Sequence, residues 1–238
     1  MAARVLFLIN GSGKESAALI GQRFENAGLD VDYRWAFNNE FPTDLDCYGA
    51  VFLSGSPHGA YEDIDFIHRE HEVVRAVVER GLPTLGVCFG SQILASALCD
   101  RDQVFRRSSC DVGYKPLRRS DAAPMDAIAK DLLPSFPMFV WHNDEVRADH
   151  PDMVVLASSD ECPNQIWRYQ DQPVWGIQGH PEVTRAAAPA WFGNRRDRLE
   201  ADGVDVDGLI SVAADAPNAK TLLANFTTLC CIETGVHG

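Results

Sequence analysis

The stretch that decides the fold reads Pro-Thr-Leu-Gly-Val-Cys-Phe-Gly-Ser-Gln-Ile-Leu-Ala over residues 83–95. Its apolar start predicts a strand buried on both faces, and its apolar end predicts a helix. Between the two lies Cys88, flanked closely by Gly86 and Gly90. Small flanking residues permit a tight turn that exposes the side chain at its apex, the arrangement of a nucleophile elbow. A buried structural cysteine is the alternative, but the two glycines favour the elbow.

Strand and helix patterns alternate upstream of this stretch. Apolar runs at 5–9, 29–35 and 50–53 predict strands, and apolar stripes predict helices at 14–26 and 63–80. Such alternation is typical of βαβ units. It predicts an α/β fold with an open, mostly parallel central sheet and helices on both faces, in which ligands bind at the carboxyl ends of the strands.

The pattern changes in the second half of the chain. Short strand-like pieces lie near Val104 and at 112–117, 138–141, 153–157, 165–169 and 174–178. Turn residues separate these pieces, so they predict a mixed or antiparallel extension of the sheet. A last helix is predicted from Ala219 to about Cys231. No linker, repeat or low-complexity tract interrupts the chain, and we expect residues 1–238 to form a single domain.

Composition excludes several classes of protein. The 238 residues are 46% hydrophobic and 23% charged, as in globular proteins, and the net charge of −13 argues against a nucleic-acid partner. Short basic pairs such as Arg106-Arg107 are expected to be solvated surface.

No apolar run approaches the roughly 18 residues of a membrane span, and the apolar start is too short for a signal peptide. Seven scattered cysteines form no disulfide or zinc pattern. We therefore expect a reduced, cytoplasmic protein with no membrane partner, no metal and no cofactor.

A nucleophilic cysteine needs a base, and the base needs an orienting group. Gly179-His180-Pro181-Glu182 offers both, directly after the apolar piece at 174–178. Residues two apart in an extended chain point to the same side, so Glu182 could accept from one imidazole nitrogen while the other faces Cys88. A surface histidine near an unrelated glutamate is the alternative. Together with the elbow, the tetrad predicts a triad of Cys88, His180 and Glu182.

These two motifs carry a family resemblance. Gly-x-Cys-x-Gly-x-Gln at 86–92, followed by Gly-His-Pro-Glu at 179–182, resembles the class I (triad-type) glutamine amidotransferases, whose fold is flavodoxin-like. The resemblance extends from the Ser-Gly-x-Pro loop at 54–57 to Leu-Leu-Ala-Asn-Phe at 222–226. It implies that Cys88 attacks the side-chain amide of L-glutamine, giving a γ-glutamyl thioester and ammonia, and that water then releases glutamate.

The resemblance also implies groups that bind the reacting amide. The backbone N–H groups of Phe89 and Ser56 match the family's oxyanion hole, since the family loop Ser-Gly-Gly-Pro reads Ser-Gly-Ser-Pro here. Gly55 and Gln92 match substrate-contacting positions. Ser91 stands where many members carry histidine, and we expect this change to tune the pocket.

A weaker match lies at Trp-His-Asn-Asp-Glu-Val, residues 141–146. It resembles the family segment Ser-His-x-Asp-x-Val, which helps to hold the α-amino and α-carboxylate groups of the substrate. His142 and Asp144 are therefore implied as substrate-binding residues, although the family serine has no counterpart. A hydrogen-bonded turn without substrate contacts is the alternative interpretation.

The acceptor of the ammonia is left open by the sequence. No nucleotide-binding signature follows Glu182, so either a separate synthase subunit accepts the ammonia or water completes the reaction. The loop at 54–63 is similar to that of stand-alone members, both GMP-synthase-like proteins and γ-glutamyl peptidases. The latter would cleave γ-glutamyl compounds with the same triad. A third hypothesis is a non-catalytic regulatory or DJ-1-like binding module.

Two further patterns are interpreted as structural. Gly-Ser-Gly-Lys at 11–14 lacks the spacing of a phosphate-binding loop and is expected to be a plain turn. His68 and His71 share a helix face, where we expect a solvated charged surface rather than a metal site.

Overall fold

The structure, a computed structural model, describes residues 4–11 and 14–234. The strands in this part of the chain are β1 (Arg4–Leu8), β2 (Val31–Arg34), β3 (Tyr48–Leu53), β4 (Thr84–Val87), β5 (Val104–Arg119), β6 (Ser135–Val146), β7 (Met153–Ser158), β8 (Ile166–Tyr169) and β9 (Val174–Ile177). The α-helices are α1 (Lys14–Asn26), α2 (Asp65–Glu79), α3 (Phe89–Leu98), α4 (Ala188–Gly193), α5 (Arg196–Ala201), α6 (Val206–Ser211) and α7 (Pro217–Thr234).

The strands form one sheet in the order β2-β1-β3-β4-β9-β8-β7-β5-β6. Neighbours from β2 to β9 run parallel, and neighbours from β9 to β6 run antiparallel. We call the first part the parallel half and the second, with α4 to α6, the antiparallel half. The predicted α/β class, with a mostly parallel sheet and an antiparallel extension, is confirmed.

The parallel half is covered on both faces because its central strands are apolar at nearly every position. In β1, Val5 and Phe7 pack in the core cluster that holds α1 and α7, whereas Leu6 and Leu8 pack in the cluster that holds α2 and α3. Successive side chains of a strand point to opposite faces, so a continuous apolar run supplies both cores.

Four adjacent strands of the parallel half end at the same edge of the sheet. Asn10, Ser54, Cys88 and His180 follow β1, β3, β4 and β9 respectively, each within three residues of the strand end. Because parallel strands share one carboxyl edge, residues far apart in the chain are brought together there.

The antiparallel half differs from the sequence prediction in two ways. The pieces near Val104 and at 112–117 belong to one long strand, β5, whose pairing with β6 is interrupted between Arg106 and Asp111. Helices α4 to α6 were not predicted. Each is a short helix, for which periodicity carries little information, and their stability comes from packing on Phe139 and Trp141 of β6.

Candidate active site

The turn after β4 places Cys88 in a backbone conformation that few side chains adopt. Cys88 has φ 55° and ψ −111°, and its N–H donates to the carbonyl of Ile177 at 2.7 Å. Such a strained conformation outside glycine is typical of functional sites. The predicted elbow geometry is therefore present in the structure.

The two glycines around Cys88 are required by close backbone contacts. A Cβ on Gly86 would fall within 3.0 Å of the backbone of Gly90, and a Cβ on Gly90 would fall within 3.0 Å of the carbonyl of Leu53. Backbone atoms cannot move aside as a flexible side chain can. The elbow thus packs α3 directly against the ends of β3 and β4.

His180 and Glu182 lie beside this elbow, where the chain leaves β9. The Nδ1 of His180 lies 2.8 Å from Oε1 of Glu182, and the His180 N–H donates to the carbonyl of Phe139 at 2.8 Å. Both side chains are buried. A Cβ on Gly179 would lie 2.9 Å from the carbonyl oxygen of Phe139, a backbone atom that cannot move aside.

The electrostatics of His180 favour its charged form. Burial alone would lower its pKa, but the negative charge of Glu182 and the hydrogen bond with Cys88 outweigh burial and raise the pKa of His180 to about 10. The imidazole ring also packs against Trp191 and Phe139, with ring centroids 5.2 and 6.0 Å away. An imidazolium is therefore held in one orientation beside Cys88.

The loop of residues 54–57, which we call the oxyanion loop, closes over the same point. A Cβ on Gly55 would lie 3.6 Å from Cβ of Cys88 and 3.9 Å from Cε1 of His180. In the part of the chain that the structure describes, the backbone N–H groups of Ser56 and Phe89 have no hydrogen-bond acceptor. Free donors at a loop and at a helix start are what a developing oxyanion requires.

A small cavity opens at Cys88, and its wall includes three of the predicted substrate-binding residues, Gln92, His142 and Asp144. The carbonyl of Asp144 accepts from Nε2 of Gln92 at 3.2 Å, and Nδ1 of His142 lies 2.9 Å from it. These contacts tie β6 to α3. Cys88 Sγ lies 3.9 Å from the carbonyl of Trp141, so the two halves of the molecule meet at Cys88.

The carboxyl group of Asp144 is exposed to the cavity only at its edge. Tyr61 donates its hydroxyl to Oδ1 of Asp144 at 3.0 Å, and Arg106 lies 3.6 Å from the same oxygen. Burial raises the pKa of Asp144, although Tyr61 and Arg106 oppose this effect. Asp144 is thus a carboxyl group fixed by two partners at the wall of the cavity.

Several residues of this wall were missed by the sequence interpretation. Arg106 and Arg198 line the cavity, although Arg106 was expected to be plain surface, and its neighbour Arg107 is mostly buried in an ion pair with Glu145. Asp111 lies behind the wall, 3.4 Å from Nε2 of His142. The register of β5 against β6 brings Arg106 and Asp111 to the site, whereas Arg198 reaches it from α5, and no local motif marks these residues.

Other expectations have mixed outcomes. His71 is not on a solvated face as expected: it is buried and its Nε2 lies 2.7 Å from the hydroxyl of Ser96, whereas His68 is exposed. Ser91 accepts a hydrogen bond from Nε1 of Trp167 at 2.9 Å and does not line the cavity, so it is not placed to tune the pocket. The 11–14 turn includes residues 12 and 13, which lie outside the described part.

Residues 4–11 and 14–234 contain neither a candidate metal cluster nor a candidate membrane helix. No group of three or more His, Cys, Asp or Glu side chains there could hold a metal ion. No helix in that same part is long and apolar enough to cross a membrane.

Comparisons with solved structures agree with this architecture. A glutamine amidotransferase from Thermotoga maritima superposes with a TM-score of 0.81 at 23% identity, covering 98% of this chain and 99% of that one. A glutamine amidotransferase from Methylobacillus flagellatus gives 0.75 at 17% identity, covering 97% and 94%. At these identities the likeness concerns the fold.

Curated relatives give a matching result at the level of sequence. GMP synthase (glutamine-hydrolyzing) of Proteus mirabilis is 27% identical over 183 residues, and that of an Escherichia coli strain is 28% identical over 183 residues. The alignments cover 74% of this chain and 33% of each relative, so the chain matches about a third of their length.

The family comparison covers most of the site. The model for "Glutamine amidotransferase class-I" matches residues 11–195, a range that includes the elbow, the oxyanion loop and the Gly-His-Pro-Glu tetrad. This match spans well over half of the chain, which therefore belongs to the class I glutamine amidotransferase family.

Proposed function

We propose that the chain hydrolyses the side-chain amide of L-glutamine with Cys88 as nucleophile. The observation that carries the proposal is the convergence of Cys88, His180 and Gly55 at one point, with the Glu182 carboxylate 2.8 Å behind the imidazole. A nucleophile, a base and an orienting carboxylate in this order are the requirements of covalent amide hydrolysis.

The reaction begins with attack of the Cys88 thiolate on the amide carbon. A C–S bond forms while the carbonyl electron pair moves onto oxygen. His180 then gives its proton to the nitrogen, the C–N bond breaks, and ammonia leaves a γ-glutamyl thioester. A water molecule gives a proton to His180 and attacks the thioester carbon. The C–S bond then breaks, which restores the Cys88 thiolate and releases glutamate.

The developing oxyanion would be bound by the N–H groups of Ser56 and Phe89. Both lack an acceptor in the described part of the chain, so they are available without prior rearrangement. Ser56 replaces a glycine of the family pattern, but an N–H donor does not depend on the side chain. Removal of one such donor typically costs about 10²–10³-fold in kcat.

Asp144 and His142 would hold the amino-acid end of the substrate. Asp144 presents a carboxyl group at the cavity wall, which suits an α-ammonium group. Gln92 of α3 fixes the backbone of Asp144 by donating to its carbonyl. Tyr61 and Arg106 restrict the Asp144 side chain to one position. Binding and chemistry would thus come from different halves of the molecule.

Ammonia would pass to a separate synthase subunit. The curated relatives are named as glutamine-hydrolysing GMP synthases, and this chain covers only about a third of their length. We propose a synthase as the acceptor of the ammonia by analogy with the names of these relatives.

A second candidate function is favoured by the arginines at the cavity. Arg106 and Arg198 are exposed and line the opening, and Arg198 lies 4.8 Å above the Trp141 ring. Guanidinium groups bind carboxylates well, so the opening would also suit a γ-glutamyl compound with an anionic leaving group. Hydrolysis would then follow the same steps, with an amine instead of ammonia as leaving group.

The test is glutamate release from L-glutamine and from a γ-glutamyl dipeptide, measured in parallel on the purified chain with Cys88→Ala as control. Cys88-dependent release from glutamine supports the amidotransferase-type reaction. A preference for the dipeptide that falls in Arg198→Ala supports the second candidate. No release from either substrate would contradict hydrolysis by the isolated chain and favour a binding module.

A further inference from the structure

A buried polar contact joins the ends of β1 and β3, and the proposed reaction does not use it. Nδ2 of Asn10 donates to Oε1 of Glu70 at 2.9 Å and to the carbonyl of Ser54 at 3.1 Å. The backbone N–H of Asn10 donates to the Ser54 hydroxyl at 3.0 Å. Asn10 and Glu70 are fully buried, and Ser54 is 6% exposed. A carboxyl group removed from water at this place needs an explanation.

The contact holds the first residue of the oxyanion loop. Ser54 is bound through both its carbonyl and its hydroxyl, so Asn10 fixes where the loop leaves β3. On the other side, the carbonyl of Leu53 lies against Gly90 of the elbow. The loop is therefore clamped between the nucleophile turn and the Asn10–Glu70 pair. A small shift of this clamp would move the Ser56 N–H away from the oxyanion.

Two atoms of the pair indicate which form of Glu70 is present. Oε2 of Glu70 and Oδ1 of Asn10 are buried, and neither has a hydrogen-bond partner among the described residues. Both are acceptors when Glu70 is ionised, which leaves an unpaired buried charge. A protonated Glu70 carries one O–H group that can donate a hydrogen bond, and the amide oxygen of Asn10 is an acceptor that has no donor.

Among the described residues, no charged group acts on the Glu70 carboxyl. On α2, Arg75 donates to the carbonyl of Ala97, Arg69 lies over the Phe41 ring, and His71 contacts Ser96. Helix α3, which packs against α2, has no acidic or basic residue. Strands β1 and β3, which end near Asn10 and Ser54, each contain one charged or titratable residue. These are Arg4 and Tyr48, the first residues of the strands, and they lie at the edge of the sheet opposite Glu70.

We propose that Glu70 is a positioning residue for the oxyanion loop, that it acts through Asn10 and Ser54, and that its working form is the protonated one. This inference rests on the proposed function, because the loop matters only if an oxyanion forms. Burial outweighs the opposing hydrogen bond from Asn10 and raises the pKa of Glu70 to about 8, so the proton is retained at neutral pH.

The protonated form has a consequence for stability. The pKa in the folded state lies above the ordinary value of 4.5, so folding takes up a proton between these values. The stabilising effect of the proton is fully present below pH 4.5 and is lost as the pH rises through about 8. Loosening of the loop above pH 8 would lower kcat over the same range.

The test uses Glu70→Gln, Glu70→Asp and the exposed Glu72→Gln as matched control on the same helix. A glutamine amide mimics the protonated acid, since its N–H can donate to Asn10, whereas aspartate is too short to reach it. We expect E70Q to keep kcat within about threefold at pH 7 and to lose the alkaline fall near pH 8. We expect E70D to lower kcat by about tenfold or more with a smaller change in KM. E72Q should match the wild type.

The same variants are unfolded with denaturant from pH 5 to 9. The wild-type midpoint should fall with rising pH more steeply than the E70Q midpoint, which keeps only the fall that other groups such as His180 contribute. Equal losses of kcat in E70Q and E70D, or parallel unfolding curves, overturn the protonated positioning role. A wild-type chain with no Cys88-dependent activity overturns the proposed function instead, and the loop-positioning role with it. The unfolding series then still decides whether Glu70 is protonated.

Discussion

The two halves of the sheet build the site by different means. In the parallel half, backbone contacts place Cys88 and His180. Gly86 packs closely against Gly90, and the backbone N–H of Cys88 donates to the carbonyl of Ile177. In the antiparallel half, the wall is placed by charged side chains, of which Asp144 with Arg106 is one pair. Backbone contacts leave little freedom, whereas side-chain pairs can rearrange. We infer that the first half performs the chemistry and the second selects the substrate.

The largest expected effect tests the chemistry of the parallel half. His180→Gln should lower kcat for glutamate release by about 10²–10⁴-fold with little change in KM, because it removes the general acid and base. His68→Gln, on an exposed histidine of α2, is the control and should retain activity. A loss confined to KM would show that His180 binds substrate rather than moving protons.

A second comparison concerns backbone packing. Gly90→Ala should destabilise the fold by about 1–3 kcal/mol or more, because its Cβ would collide with the carbonyl of Leu53. Gly193→Ala, in α4 of the antiparallel half, has no atom within 4 Å of the added Cβ and should be neutral or slightly stabilising. Denaturant unfolding of both variants measures the difference. Equal stabilities would contradict the tight elbow.

The smallest expected effect tests the wall of the cavity. Asp144→Asn should raise KM for glutamine by about tenfold, the order of a hydrogen bond to a charged group, and leave kcat within about threefold. Tyr61→Phe removes one partner of this carboxyl group but not the group itself, so its effect on KM should be smaller. If D144N lowers kcat as strongly as H180Q, the division between the halves is wrong.

The accuracy of the sequence prediction follows the same division. Helix α1 was predicted with the bounds that the structure gives, and strand β4 was predicted at the start of the 83–95 stretch, since apolar patterns are local signals. The elbow and the Gly-His-Pro-Glu tetrad are also local, and the structure brings them together. In contrast, α4 to α6 were missed, and β5 was predicted as separate pieces.

The sequence by itself determined the order of strands and helices in the first half of the chain, the parallel sheet, and the elbow and Gly-His-Pro-Glu motifs, because each depends on residues close together in the chain. Tertiary structure alone decided the cavity wall. Residues 107–110 bulge out opposite Asn143, so that Arg106 pairs with Asp144 and Asp111 with His142. It also buried Glu70 beneath the oxyanion loop, against Asn10 from a distant strand. Register and burial are properties of packed neighbours, and no local pattern specifies them.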